Sequence, residues 1–289
     1  HHLNHPEGVE FQRQALAVAE RMLPANHPEL ARILINLSAA LLSSDEKKPL
    51  VCRALDICRT RLGAHRFTVA SINHLAAIHD TQGDLEQARL CFEESVRMSL
   101  EIGGEVSLLH SECLMQFGGL LYRHGLAEQA QPLLERSLAV QRITLSPEHP
   151  VLTQNIMLLA WTVSECGNHE RAYGLLHEAL DLFHRSFGPE HQFNTEVLIG
   201  LAEEAHALER LEEAIDLTNR ALSILRADEV ADESRIGEVL WGFGDLLIKA
   251  GRSTQAVLIL EQELAIARSL EGNDSESVAR SRWKLGDLQ

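Results

Sequence analysis

The sequence is poor in aromatic residues, which make up only 4% of its 289 residues. Leu and Ala are abundant instead, a composition that suits close packing of helices better than sheets. Basic residues are also few, because 26 Lys and Arg stand against 42 Asp and Glu, which gives a formal net charge of −16 at pH 7. This charge argues against a nucleic acid as the ligand and favours a cationic partner at long range.

Cysteine is scarce, and its pattern argues against a disulfide framework. The five cysteines form no C-x-x-C pair, and an odd number at irregular spacing is not typical of disulfide-linked domains. No apolar run approaches the roughly 20 residues of a membrane span, and the N-terminus lacks the apolar segment of a signal peptide. We therefore expect reduced thiols, no membrane association and a cytoplasmic location.

Sequence motifs of catalysis are missing as well. The chain contains no G-x-x-x-x-G-K-[ST] phosphate-binding loop and no G-x-S-x-G nucleophile turn. The best metal candidate among the 15 histidines is the set His177, Asp181 and His184, whose spacing places them on one helix face. Because H-E-x-x-D differs from the H-E-x-x-H zinc motif, we expect no metal, no cofactor and no enzymatic activity.

What the sequence does contain is a repeated segment. It first appears as LAAIHDTQGDLEQA, and four copies with divergent sequences follow, each beginning 42 residues after the previous one. The five copies begin at Leu75, Phe117, Leu159, Leu201 and Phe243. A period in this range is typical of a stacked repeat array, and the apolar spacing within each copy is helical. The sequence therefore predicts an all-α chain built from helix hairpins.

Certain positions recur in every copy. A turn position follows eight residues after the first residue, and it holds Gly except in the fourth copy, where it holds Glu209. Small residues then mark the point where two antiparallel helices cross closely: Ala88, Ala130, Ala172, Ala214 and Ala256. A second small position comes seven residues later in four copies. The last copy carries Glu263 there, which suggests a looser or more exposed crossing.

We expect a single array over residues 1–289 that is cut inside a repeat at both ends. Its predicted parts are the second helix of a partial repeat (1–26), an irregular repeat (27–64), five regular repeats (65–272) and the first helix of a further repeat (273–289). In the irregular repeat, a polar break from Ser43 to Lys48 and a turn with Pro49 are predicted to separate the two helices. The connectors contain histidines that we expect to cap helices: His27, His149 and His191.

The order of a Leu and a small residue, then Gly eight residues after the Leu, then Ala five residues after the Gly resembles the tetratricopeptide repeat. The period of 42 residues exceeds the roughly 34 that are usual in that family, and it looks like the longer subtype of kinesin light chains and nephrocystin-like proteins. This resemblance implies a right-handed superhelical solenoid of antiparallel helix hairpins. It also implies that the first helix of each hairpin lines a concave groove that holds a peptide or a helix of a partner.

Counted from the first residue of each copy, this resemblance places a set of side chains in the groove. They are Asn73, His74, Asp80, Met115, Gln116, Tyr122, Arg123, Met157, Trp161, Ile199, Glu203, Trp241 and Asp245, with Glu196, His206 and Glu238 on the same helix faces. The mixture of aromatic, Met and carboxylate side chains suits a basic or amphipathic segment. An alternative stays open, in which Trp161, Trp241 and Met115 are core residues and the carboxylates are ordinary solvated charges.

The sequence thus predicts a non-enzymatic scaffold or adaptor that binds a protein or peptide partner, and neither a nucleic acid nor a membrane. A second hypothesis is a regulatory or sensor array that docks on a catalytic domain elsewhere in the full-length chain and controls it. That domain would be a protease or a nucleotide-binding module. The oligomeric state is not predicted by any feature of the sequence.

Overall fold

The computed structural model describes residues 6–227, 232–273 and 275–288, and within these ranges it contains fourteen α-helices and no strand. The chain divides into two compact units, His1–Ser146 (unit 1) and Pro147–Gln289 (unit 2). The helices of unit 1 are α1 (Pro6–Met22), α2 (Pro28–Ala40), α3 (Ser44–Arg61), α4 (Arg66–Thr81), α5 (Leu85–Gly103), α6 (Leu108–Arg123) and α7 (Ala127–Thr144). Those of unit 2 are α8 (Pro150–Glu165), α9 (His169–Phe187), α10 (Asn194–Ala207), α11 (Leu211–Ala227), α12 (Glu233–Lys249), α13 (Ser253–Glu271) and α14 (Glu276–Leu288).

Each unit is a stack of helix hairpins that follow one another in chain order. In unit 1 the hairpins are α2/α3, α4/α5 and α6/α7, and in unit 2 they are α8/α9, α10/α11 and α12/α13. The second helix of a hairpin also packs on the first helix of the next, as α3 does on α4 and α9 does on α10. This is the organisation of a helical solenoid, so the predicted all-α fold class is confirmed.

Small residues at the crossing points let the two helices of a hairpin approach closely. A Cβ added to Gly118 would lie 2.6 Å from Leu134 Cδ2, and one added to Gly244 would lie 2.5 Å from Leu260 Cδ2. Ala130 is fully buried beside Gly118, and its carbonyl oxygen lies 3.5 Å from the same Cβ position. Each fully buried leucine stabilises the fold by roughly 1.5–3 kcal/mol. The small residues contribute to stability because they leave space for these leucines to be buried.

The turn inside each regular hairpin has a left-handed residue, as the glycine pattern predicts. Gly83, Gly125, Gly167 and Gly251 have φ between 70° and 81°. Glu209 takes the same conformation with φ 60°, and the next residue, Arg210, donates its backbone N–H to Ala205 O at 2.8 Å. The hairpin therefore closes in the same way without glycine, at the energetic cost of a Cβ in the left-handed region.

Histidines cap several helix starts through the Nδ1 atom. The backbone N–H groups of Glu29, Phe67 and Val151 donate to Nδ1 of the N-cap residues His27, His65 and His149 at 3.2–3.3 Å. His191 accepts in the same way from Phe193 N at 3.2 Å, just before α10. The predicted capping role is therefore confirmed for His27 and His149, whereas the N-cap position of α10 is Phe193 and His191 bonds the segment before it. His65 is a further N-cap that was not predicted.

The irregular hairpin of unit 1 departs from the prediction. Helix α3 begins at Ser44, so residues 44–48 are helical and Pro49 lies inside the helix. The predicted polar break is wrong because polar residues on an exposed first turn are compatible with helix, and Asp45 and Glu46 also favour the N-terminus of the helix. Pro49 lacks an N–H and therefore removes one helical hydrogen bond from α3, which the rest of the helix tolerates.

The crossing position in the last hairpin also differs from the prediction. Glu263 is buried, with 4% of its surface exposed, and its carboxylate accepts a hydrogen bond from Ser281 Oγ. The expectation of a more exposed position is wrong because α14 covers α13 and supplies the Ser281 hydroxyl. A hydrogen bond of this kind is what allows a polar side chain to replace a small one in the interior.

Candidate peptide-binding surface

The thirteen residues predicted to line a groove, here named the candidate surface, all lie on first helices of hairpins. In unit 1 they are on α4 and α6, and in unit 2 they are on α8, α10 and α12. Gln116, Arg123 and Glu203 are exposed, and the other ten are half-buried. First helices also contact each other directly within a unit, α4 with α6 and α8 with α10.

In unit 1, Asp80 joins two basic side chains of the next first helix and its turn. Its Oδ2 accepts from Arg123 Nη2 at 2.7 Å, and its Oδ1 lies 2.7 Å from His124 Nε2. Burial alone would raise the pKa of Asp80, but the hydrogen bonds from His124 and Arg123 outweigh this effect and lower it below the usual value. Two predicted surface residues, Asp80 and Arg123, are thus partners of each other.

Other residues of unit 1 are tied to the neighbouring helices. Asn73 Oδ1 accepts from Ser95 Oγ, and its Nδ2 lies 3.7 Å from Cys113 Sγ. Met115 Sδ accepts from Gln141 Nε2 at 3.8 Å. Burial lowers the pKa of His74, and nearby Lys47 lowers it further. In unit 1 the candidate surface is therefore bound largely to its own scaffold.

In unit 2, both tryptophans pack against the following first helix. A Cβ added to Gly200 on α10 would lie 3.7 Å from Trp161 Nε1, an ordinary van der Waals distance, so the indole lies against α10. Trp241 is covered by cations of α14, with Arg280 Cζ at 4.2 Å and Lys284 Nζ at 3.7 Å from the ring centroid. Both indoles are half-buried, so each combines a packing role with a part that still faces solvent.

A cavity of about 390 Å³ lies in unit 2 between α10 and α12. Three residues of the candidate surface line it: Ile199, Glu203 and Asp245. Burial in this concavity raises the pKa of Glu203, and Glu204 and Glu196 raise it further, whereas Arg235 opposes them. The Glu203 side chain itself is exposed at the cavity surface, so it is open to a ligand although protein surrounds it.

A smaller cavity of about 290 Å³ lies between α12, α13 and α14 and is lined by Trp241, Glu238, the buried Glu263 and Arg280. The two cavities share Glu238. Met157 and Trp161 border neither of them. Within unit 2, the larger of these two cavities therefore brings together Ile199 and Glu203 of α10 and Asp245 of α12.

Sequence reasoning missed several basic residues next to the carboxylates. Arg235 and Lys249 line the larger cavity, and Lys284 forms an ion pair with Asp245. Arg235 and Lys249 lie three residues before Glu238 and four after Asp245, so extending the same helix faces by one turn would have found them. Lys284 comes from α14 and directly precedes Leu285, which stands 42 residues after Phe243, so continuing the repeat count by one copy would have found it.

Models of the tetratricopeptide repeat match residues 68–102, 111–151 and 152–227. The chain belongs to the tetratricopeptide repeat family. Members of this family act as protein-interaction scaffolds, so protein partners are the implied class of ligand. The repeat that both models describe is generally non-catalytic.

Solved structures agree with the tetratricopeptide fold. BtubC (BKLC) from P. vanneervenii is 19% identical, with a TM-score of 0.69 over 82% of this chain and 95% of that one. The nearly identical TPR-like repeats assigned to a kinesin light chain of Podosopora anserina are 21% identical, with a TM-score of 0.64 over 72% of this chain and 98% of that one. At these identities the likeness concerns the fold alone. No curated protein matches the chain significantly.

A third solved structure contains the repeats as part of a larger protein. It is the signal transduction ATPase with numerous domains PH0952 from Pyrococcus horikoshii, described as having a tetratricopeptide repeat sensor. It is 13% identical, with a TM-score of 0.70, and the match covers 96% of this chain but only 40% of that one. The tetratricopeptide chain thus corresponds in fold to one part of that protein.

Neither a metal site nor a membrane-spanning helix is present within the described ranges. No group of three or more His, Cys, Asp or Glu side chains there is arranged to hold a metal ion, and this includes the His177, Asp181 and His184 set. None of the helices described combines the length and the hydropathy that crossing a bilayer would require.

Proposed function

We propose that this tetratricopeptide chain is a non-enzymatic scaffold that binds a basic, amphipathic segment of a partner protein along its first helices. The observation that carries the proposal is the cavity between α10 and α12, where apolar walls and the Glu203 carboxylate lie side by side. A segment with apolar and cationic side chains on one face complements such a surface.

The charge of the whole chain supports the same kind of partner. A formal net charge of −16 attracts cations at long range and speeds the encounter with a basic segment. Within the proposal, the exposed parts of Trp161 and Trp241 supply apolar contact, and the carboxylates fix the register of the bound segment. The groove role of all thirteen candidate residues is part of this proposal.

Selection from a displayed library of random peptides on the immobilised chain would test the proposal. We expect the enriched peptides to be basic and amphipathic, and their affinity to fall as salt is added, because salt screens the attraction. The variant Glu203→Lys should abolish most of the binding. The matched variant Glu261→Lys makes the same charge change at an exposed position of the second helix α13 and should have little effect.

Two outcomes would contradict this function. Either no peptide is enriched, or Glu203→Lys and Glu261→Lys weaken the binding of enriched peptides equally, which would place binding outside the first helices. Enriched peptides that bind independently of salt would contradict only the basic character of the partner. The variants Trp161→Ala and Trp241→Ala, with helicity followed by far-UV circular dichroism, would separate lost contacts from lost folding.

A second candidate function is a sensor array that controls a catalytic domain of the same full-length chain. The match to the sensor part of the Pyrococcus horikoshii ATPase favours this alternative, because there the repeats occur beside other domains. Sequencing the complete reading frame tests it directly. A neighbouring ATPase or protease domain that binds this chain in place of library peptides would support the sensor role over the free scaffold.

A further inference from the structure

The cavity between α10 and α12 of unit 2 has the dimensions and walls of a side-chain pocket. Its volume of about 390 Å³ is many times the roughly 30 Å³ that one water molecule occupies in the liquid. Ile199, Val239, Phe243 and Leu246 contribute apolar surface to its lining. Such walls favour the methylene groups of a long side chain over a small polar solute.

Some of the charged side chains around the cavity already have ion-pair partners. Arg235 donates to Glu196 at 2.6 Å and to Glu238 at 2.7 Å, so it already has two carboxylate partners. Asp245 forms an ion pair with Lys284 of α14.

Lys249 and His206 are also engaged with each other. Lys249 Nζ lies 3.1 Å from His206 Nε2, where it can donate to the unprotonated ring nitrogen. Burial lowers the pKa of His206, and Lys249 lowers it further, against the opposing charge of Asp245. A neutral imidazole therefore accepts a hydrogen bond from the lysine ammonium, and neither group forms an ion pair with Glu203.

Glu203 is the carboxylate that remains. Among the described residues, no cationic group forms an ion pair with it, although Arg235 is near enough to act on it through space. The concave position removes part of its solvent, and the neighbouring carboxylates Glu204 and Glu196 repel its charge. A cation placed there would relieve both effects, whereas an anion would add to the repulsion.

We propose that this cavity receives one lysine or arginine side chain of the bound segment, whose charged end pairs with Glu203. The methylene stem would then lie along Ile199 and Val239, and the bound segment would be held in register by this one insertion. The inference rests on the proposed function, because it names the anchor of the same peptide-binding surface.

A double-mutant cycle between the chain and a selected peptide tests this pairing. Each Lys of the peptide is replaced in turn by norleucine and each Arg by citrulline, which keep the length and remove the charge. At one position the replacement should weaken binding to the natural chain about tenfold. The same replacement should have almost no effect on binding to Glu203→Gln, because the partner charge is already absent.

Two matched variants sharpen the result. Lys249→Gln removes a competing positive charge from the cavity, so it should strengthen binding of the cationic peptide. Glu261→Gln, the same type of change on α13, should leave binding unchanged. Glu203 is exposed, so Glu203→Gln is expected to keep its helicity, which circular dichroism would verify.

The outcomes separate the two proposals. If no library peptide binds, or if Glu203→Lys has no effect, the proposed function itself fails. If Glu203→Lys blocks binding but no peptide cation is coupled to Glu203 in the cycle, only the pocket assignment is overturned. Coupling at one peptide position, together with stronger binding to Lys249→Gln, would establish the assignment.

Discussion

Units 1 and 2 use the same hairpin but leave their first helices in different states. In unit 1, Asp80 is held by Arg123 and His124, so the charges of α4 and α6 satisfy one another. In unit 2, Arg235 and Asp245 also find partners, yet Glu203 has no ion pair and faces a cavity. The difference teaches that repeat geometry sets where side chains point, whereas the next hairpin decides whether a charge stays available.

The scaffold shared by the two units should respond equally in both to overpacking. We expect Ala130→Leu in unit 1 and Ala256→Leu in unit 2 each to lower the free energy of unfolding by roughly 1–3 kcal/mol, because both alanines are fully buried at hairpin crossings. Denaturant unfolding measures the loss, and hydrogen exchange shows which unit loses protection. Gln129→Leu, at an exposed position of α7, is the control, and an unchanged midpoint for Ala130→Leu would place that alanine away from the crossing.

The satisfied charge of unit 1 should stabilise the fold, unlike its counterpart in unit 2. Asp80→Asn should cost about 1 kcal/mol at neutral pH, because it weakens the bonds from Arg123 and His124. The folded pKa of Asp80 is lowered, so this stabilisation is complete above the unfolded pKa of about 3.9 and is lost as pH falls through the folded pKa. Unfolding curves at several pH values would show whether the free energies of unfolding of Asp80→Asn and the natural chain become equal as pH falls.

Ionised Glu203 should lower the free energy of unfolding, whereas ionised Asp80 raises it. Because the folded pKa of Glu203 is raised, its ionised form disfavours the folded state. This destabilisation is absent below the unfolded pKa, grows as pH rises from the unfolded to the folded pKa, and is complete above the folded pKa. Glu203→Gln should therefore not lower stability at neutral pH. A loss for Glu203→Gln as large as that for Asp80→Asn would remove the contrast between the two units.

The smallest expected effect concerns the turn that lacks glycine. Glu209→Gly should raise the free energy of unfolding by about 0.5–1 kcal/mol, since φ of 60° is strained for a residue with a Cβ. Gly167→Ala in the preceding hairpin, where φ is 81°, should change stability in the reverse direction. A destabilised Glu209→Gly would mean that the glutamate side chain contributes more than its backbone strain costs.

The hairpins were predictable because backbone geometry imposes them on each copy. A left-handed turn at Gly83 and a small residue at Ala130 are local requirements, and the same residue types therefore return at the same spacing. The turn at Glu209 shows that the surrounding hairpin can enforce this geometry even without glycine.

The state of the candidate surface was less predictable, because it depends on contacts between hairpins. Lys284 of α14 pairs with Asp245 of α12, and Arg280 of α14 covers Trp241. Long basic side chains can adopt many rotamers, so helix periodicity gives their face but not their partner. The prediction of an exposed Glu263 is wrong for a related reason, since the burial of this residue depends on Ser281 of α14.

The histidines at the helix starts carry a spectroscopic consequence. An Nδ1 atom that accepts a backbone N–H must hold a lone pair, so the neutral ring carries its proton on Nε2. His27 and His65 report on α2 and α4, whereas His149 and His191 report on α8 and on the segment before α10. Neighbouring repeats can unfold separately. The NMR signals of these four imidazole nitrogens would therefore report local unfolding at two places in each unit.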